Sequence, residues 1–267
     1  MTDHIGDYME QKPTMYHQGL YAQSTTKKQR LGTIRELDDG RKFVYCVSTA
    51  ANLVAGVCLS KAVAPQDATV VLATDGAVDV LGARKVTVTL TGTPTLNLYE
   101  DGWLCIKAGT NIGAMYKIRG NTADDVPASG RCTFYLYDEL DTAWIANTTI
   151  GLYESPYKSV LINPAVANGD ATTAERILGI APRAVYNATP VAVYFWAQTW
   201  GLGNPLLDVP AAAGNEADEK FLIAGITAGT LNLSAAGAEP DQPRYGYIIE
   251  NGDLTDDENS LCFLQIS

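Results

Sequence analysis

The sequence predicts an all-β protein: one or two β-sandwich or β-barrel-like units with an extended N-terminal arm and little helix. Three observations carry this. Short runs rich in β-branched and aromatic residues recur every 8–15 residues, clusters of Gly, Asn and Asp separate them, and hardly any 3.6-residue apolar period is sustained. The chain has 267 residues, and all-β domains can reach roughly 250, so one large or two smaller domains are possible; the division expected is into 31–155 and 156–267. The boundary falls in a spacer within 154–190.

Taken in order, residues 1–30 read as an extended arm, because Tyr8, Met9, Met15, Tyr16 and Tyr21 are scattered through polar sequence without a period. LGTIREL and KFVYCVS flank Asp38-Asp39-Gly40-Arg41 and predict a hairpin, since Asp-Gly supplies the positive φ of short hairpin turns. NLVAGVCLSK reads as a turn-linked strand around Gly56. ATVVLAT (68–74) and RKVTVTLTG (84–92) are strands; Val86, Val88 and Leu90 alternate with Thr87 and Thr89, giving one buried and one wet face. LNLYEDGWLCIKAG predicts a second hairpin about Glu100-Asp101-Gly102. GAMYKIRG and GRCTFYLYDEL continue the pattern across a polar loop at 121–130. Asp138 or Asp141 is placed to cap one helical turn, because Asp accepts from free backbone amides there. A short helix is expected near Ala174–Leu178. PVAVYFWAQTWG (190–201) is the strongest aromatic strand, and KFLIAGITAGTLNLSAAG, RYGYIIENGD and LCFLQIS complete the set.

Composition narrows the function. Nineteen Lys and Arg face 30 Asp and Glu, a net charge of −11, which argues against general binding to phosphate backbones. The arm carries +1 and the rest −12, so the two are expected to meet different surfaces. No apolar run is long enough to cross a membrane, and because Met1 leads into the polar, acidic DHIGDYMEQKP no secretory signal is expected. The five cysteines are at least 12 residues apart and show no CxxC, so neither a zinc site nor a redox motif is predicted. They read as buried small hydrophobes in strands, consistent with folding in a cytoplasm. His4 and His17, the only histidines, lie in the polar leader, leaving no imidazole on a scaffold for a Ser-His-Asp or Cys-His enzyme. Carboxylate-pair hydrolysis needs only two nearby acids and is not specified by any pattern. No catalytic residues, metal ligands or cofactor are assigned.

Two groups are candidates for binding. Tyr194, Trp196 and Gln198 alternate with Phe195, Ala197 and Thr199, and with Trp200 form an aromatic cluster suited to a core, a subunit interface or a ligand platform. Tyr194, Trp196 and Trp200 are assigned to an oligomer or packing interface. In the arm, Tyr16, Tyr21, Lys27, Lys28 and Arg30 are assigned to partner binding. The acidic stretches Asp124-Asp125 and DLTDDE at 253–258 read as solvated loops rather than calcium sites; DLTDDENS lacks the glycine and distal glutamate of a calcium loop.

Particular strings carry a resemblance. QRLGTIRELDDGRKFVYCVS, NLVAGVCLSKA, YKIRGN, LYDELDTAW, SPYKSVLINPA and above all PVAVYFWAQTWG resemble tailed-bacteriophage virion proteins encoded beside major capsid genes, which decorate or cement the head. The likeness covers roughly residues 28–205. It implies a structural protein, made in the bacterial host cytoplasm, that binds the major capsid protein of the same phage on the capsid exterior and reinforces the shell without catalysis. It also implies a homo-oligomer, with a trimer favoured, and the arm lying along the capsid. The alternative is a receptor- or glycan-binding module of a tail or head fibre.

Overall fold

A computed structural model describes residues 17–49, 52–61, 67–72, 81–90, 94–123, 131–145, 148–164, 176–186, 191–208, 221–233, 243–249 and 258–266, with backbone alone at 67–72 and 258. Among these residues the protein is all-β, without helix. The contacts divide the chain into two compact units, residues 1–62 with 159–267, and residues 63–158. This differs from a division into 31–155 and 156–267. The reason lies in one pairing. Strand β2 (Lys42–Ser48) lies antiparallel to β12 (Val193–Gly203), from Ser48 against Val193 to Phe43 against Gln198. Residues 31–62 therefore belong with the C-terminal half.

The unit spanning 63–158 is a closed barrel. Its strands are β4 (Asp67–Leu72), β5 (Lys85–Thr89), β6 (Trp103–Ala108), β7 (Met115–Asn121), β8 (Arg131–Leu136) and β9 (Thr149–Tyr153), in the order β4-β5-β8-β7-β6-β9. Side chains alternate between inside and outside along β5 to β8. The interior holds Val86, Val88, Leu104, Ile106, Ile118, Phe134, Leu136, Trp144, Ile150 and Leu152. Each such large apolar side chain contributes about 1.5–3 kcal/mol on burial. Closure removes the sheet edges.

Within this unit Glu100-Asp101-Gly102 does not join two hairpin strands. Residues 96–101 form turns, and β6 pairs instead with β7 and β9. Asp101 is buried at φ 59°; its amide donates to the Ile118 carbonyl, and its carboxylate accepts from the Tyr137 hydroxyl at 3.1 Å. Asp138 and Asp141 cap no helical turn, because residues 137–142 are bends and irregular chain. Asp141 accepts hydrogen bonds from Tyr116 and Asn111, and the Tyr116 hydroxyl holds its carboxyl below the ordinary carboxylate range.

The other unit is built on a curled sheet in the order β10-β3-β11-β12-β18-β16-β14-β15-β13-β17. These are β10 (Leu161–Ile162), β3 (Cys58–Ser60), β11 (Gly179–Ile180), β12, β18 (Cys262–Gln265), β16 (Gly246–Ile248), β14 (Phe221–Ala224), β15 (Leu231–Leu233), β13 (Leu206–Leu207) and β17 (Glu258–Asn259). The predicted first hairpin is present: β1 (Ile34–Glu36) pairs with β2 about Gly40, whose φ is 83°. Of the helix expected near Ala174–Leu178, residues 176–178 are irregular chain entering β11, and 174–175 lie outside the described residues.

One core cluster of this unit contains Cys58, Ile177, Ile180, Leu207, Leu222, Leu231, Tyr245, Cys262, Leu264 and Ile266. Residues Phe43 to Val47 are all buried, so β2 is covered on both faces. Cys46, Cys58, Cys132 and Cys262 are buried and Cys105 is half-buried. Burial pushes the Cys46 and Cys58 thiols far up.

Candidate interaction surface

Four neighbouring strands, β14, β16, β18 and β12, bring apolar side chains into one cross-strand row. Phe221 lies opposite Tyr247, Tyr247 opposite Phe263, and Phe263 opposite Leu202. Directly opposed residues in an antiparallel pair share a face. Their sequence neighbours Leu222, Leu264 and Cys262 are fully buried on the other side, which orients the row outward. Phe221 is 43% exposed, Tyr247 37% and Leu202 50%. A second row continues it, with the Ile249 amide bonded to the Leu261 carbonyl and both side chains exposed. At a strand spacing of about 4.8 Å the first row is about 14 Å long. Scattered surface hydrophobes are ordinary, whereas a contiguous file marks a contact.

The rings are fixed relative to one another. Tyr247 and Phe263 stack with centroids 5.2 Å apart and planes 10° from parallel. Trp200 meets Phe263 edge-on at 5.8 Å and 79°. The Arg244 guanidinium sits 4.1 Å from the centroid of the Phe221 ring. Tyr247 and Phe263 are thus held as one near-parallel pair.

Beside this row lies a cleft of about 410 Å³, whose lining includes Leu202 and Leu261 together with Tyr21, Asp39, Arg41, Gln198 and Asn204. The β1–β2 turn supplies its charged wall. Asp39 accepts from the Arg41 amide at 3.0 Å and from Arg41 Nε at 2.7 Å, and Arg41 Nη1 donates to the Tyr21 hydroxyl at 3.4 Å. Slight burial works against ionisation of Asp39, but these bonds and the Arg41 charge hold its carboxyl below the usual range. The Arg183 guanidinium lies 5.8 Å from the Tyr21 ring centroid. Gln198 is buried; its amide nitrogen donates to the carbonyls of Trp200 at 3.2 Å and Leu202 at 2.7 Å.

The residues singled out in the sequence are distributed differently from expectation. Tyr16 lies outside the described residues. Tyr21 stands at the cleft. The Lys28 amide donates to the Tyr45 hydroxyl at 3.1 Å, and the Arg30 carbonyl accepts from Thr33. Lys27 is half-buried, while the Lys28 and Arg30 side chains are exposed. Residues 17–30 are therefore not a free arm: Ser24 bridges Tyr194, and Gln18 is buried against β2 and β12. Of the aromatic group, Tyr194 and Trp196 join Tyr45 beneath this segment, with Tyr45 5.0 Å from Trp196 and 6.0 Å from Tyr194. Trp196 is fully buried within the chain and is a packing residue. Trp200 is separated from them and joins Phe263.

Phe221, Tyr247, Phe263 and Leu202 were not among the expected residues. Their signal was the alternation in FLIA, YGYI and LCFLQ, which shows that each strand has two faces but not that three aromatics fall in one file. Among the described residues, no group of three His, Cys, Asp or Glu side chains is placed to hold a metal ion. Compared with known proteins, the chain matches no family model, no curated protein and no solved structure.

Proposed function

We propose that this protein is a structural virion protein of a tailed bacteriophage that adheres to the outer surface of the capsid and reinforces it, the file Phe221–Tyr247–Phe263–Leu202 being its adhesive face toward the major capsid protein. The exposed file is the observation that carries this reading. Aromatic side chains on a rigid sheet give large contact area for little ordering entropy, which suits a protein interface. The resemblance of residues 28–205 to head decoration proteins supplies the identity of the partner. Many copies, each clamping neighbouring capsid subunits, add modest contacts into avidity.

The test is co-sedimentation of the full chain with purified capsids lacking it. The wild type should bind in hundreds of copies per particle and raise the temperature at which the shells open, because contacts made only in the assembled state stabilise it. Tyr247→Glu should weaken binding by about tenfold or more, the effect of losing roughly 1.4 kcal/mol or more, with unchanged melting of the protein itself. Wild-type protein that fails to bind shells would refute the proposal. A variant that binds normally but loses self-association in sedimentation would reassign the file to the seam between copies.

A further inference from the structure

The cleft next to the aromatic file has a different chemistry and points to a second ligand. Its walls carry an ionised carboxylate, Asp39, braced against a guanidinium, Arg41, so neither an anion nor a cation meets a surface of one sign. Asp39 is acceptor-only, Arg41 donor-only, and Gln198 and Asn204 are amides with both capacities. Two of these groups are held in place before any ligand arrives. Arg41 is fixed between Asp39 and Tyr21, and the buried Gln198 spends its nitrogen on two backbone carbonyls, leaving its oxygen as the group it can offer. Leu202 and the Tyr21 ring supply apolar wall between the polar groups. The volume, about 410 Å³, lies within the range of about 300–1,000 Å³ typical of small-ligand sites.

We propose that this cleft binds a neutral saccharide of one or two rings. Hydroxyl groups both donate and accept, so a single sugar edge can satisfy a fixed carboxylate and a fixed guanidinium at once, while its C–H face covers Leu202 and Tyr21. A neutral polyol also avoids the repulsion that the −11 chain imposes on anions. The site borders the shell-binding face and shares Leu202 with it, but the two are separable, because its polar groups lie on the β1–β2 turn and on β12 and its following residue, not on the β14 and β16 strands that carry Phe221 and Tyr247.

The test is ligand-observed NMR of the full chain with glucose, galactose, N-acetylglucosamine, rhamnose, maltose and lactose, each at about ten millimolar. At least one should show saturation transfer, and Asn204→Ala and Asp39→Ala, both at exposed side chains, should each weaken it about tenfold without changing melting. Tyr247→Glu should leave sugar binding intact, which separates this site from the shell contact. Absence of transfer across the panel, or transfer unaltered in both cleft variants, would overturn the assignment.

Discussion

Gln18 ties residues 17–30 to the body through a set of bonds that no sequence pattern announces. Its side-chain nitrogen donates to the carbonyls of Ala22 at 2.7 Å and Tyr194 at 2.9 Å, and its oxygen accepts from the Tyr45 hydroxyl at 2.8 Å. Its backbone carbonyl accepts from Trp196 Nε1 at 3.3 Å. Removing one partner of a buried hydrogen bond leaves the other desolvated and unpaired, at a cost of about 1–3 kcal/mol. Gln18→Ala should therefore lower the unfolding free energy by about that amount in a urea titration, and adding Tyr45→Phe should recover part of the loss. A change indistinguishable from zero would mean that this segment is not a structural part of the unit. A glutamine in polar sequence looks like solvent-exposed chain; its role depends on Tyr45 and Tyr194, which the fold brings to it. This is why the leader read as an arm.

Individual strands were more legible than their partners. The KFVYCVS run, the Val-Thr alternation of 86–89 and the VYFWAQTW run all form strands, because β-branched and aromatic side chains fit a pleated surface wherever it is built. Pairing was not legible in the same way. LNLY carries the alternation of a strand, yet the closing of the barrel gives both edges of β6 to β7 and β9 and leaves 96–101 as turns. In β16 a glycine does what a larger residue could not. Gly246 has φ 144°, and a Cβ there would collide with the Phe263 carbonyl. Both β14 and β18 bond to this short strand, so Gly246→Ala should destabilise the unit by about 1–3 kcal/mol, the cost of holding a side chain in a backbone region it rarely adopts. The expected readout is a lower thermal midpoint together with loss of the Tyr247–Phe263 stacking signal in near-ultraviolet circular dichroism. An unchanged midpoint would show that the strand relaxes without strain.

At the scale of the whole chain, residues 63–158 are an insertion. Ser60 on the outgoing strand β3 is paired with Leu161 on the returning strand β10, and Leu59 with Ile162. The strands that flank the inserted segment in sequence are thus paired neighbours, about 4.8 Å apart. A closed barrel with its own core has what independent folding requires. Residues 63–158 expressed alone should give a β-type far-ultraviolet spectrum and one cooperative thermal transition; a spectrum of unfolded chain would show that barrel closure depends on the rest of the protein. The all-β class was legible because it sums many local signals. The insertion was not, because it is defined by the partnership of Ser48 with Val193, residues whose local sequences carry no mark of each other.

That partnership sets an order of events during translation. At about 5–20 residues per second, roughly seven to thirty seconds separate the emergence of Ser48 from that of Val193. Throughout that interval the FVYCVS ribbon has left the ribosome without the β12 strand that covers it. The barrel, encoded entirely between them, has all its strands out first. The nascent chain thus carries a completed module alongside a sticky unmatched edge, the kind of segment that holdase chaperones engage and that joins other chains when they are crowded.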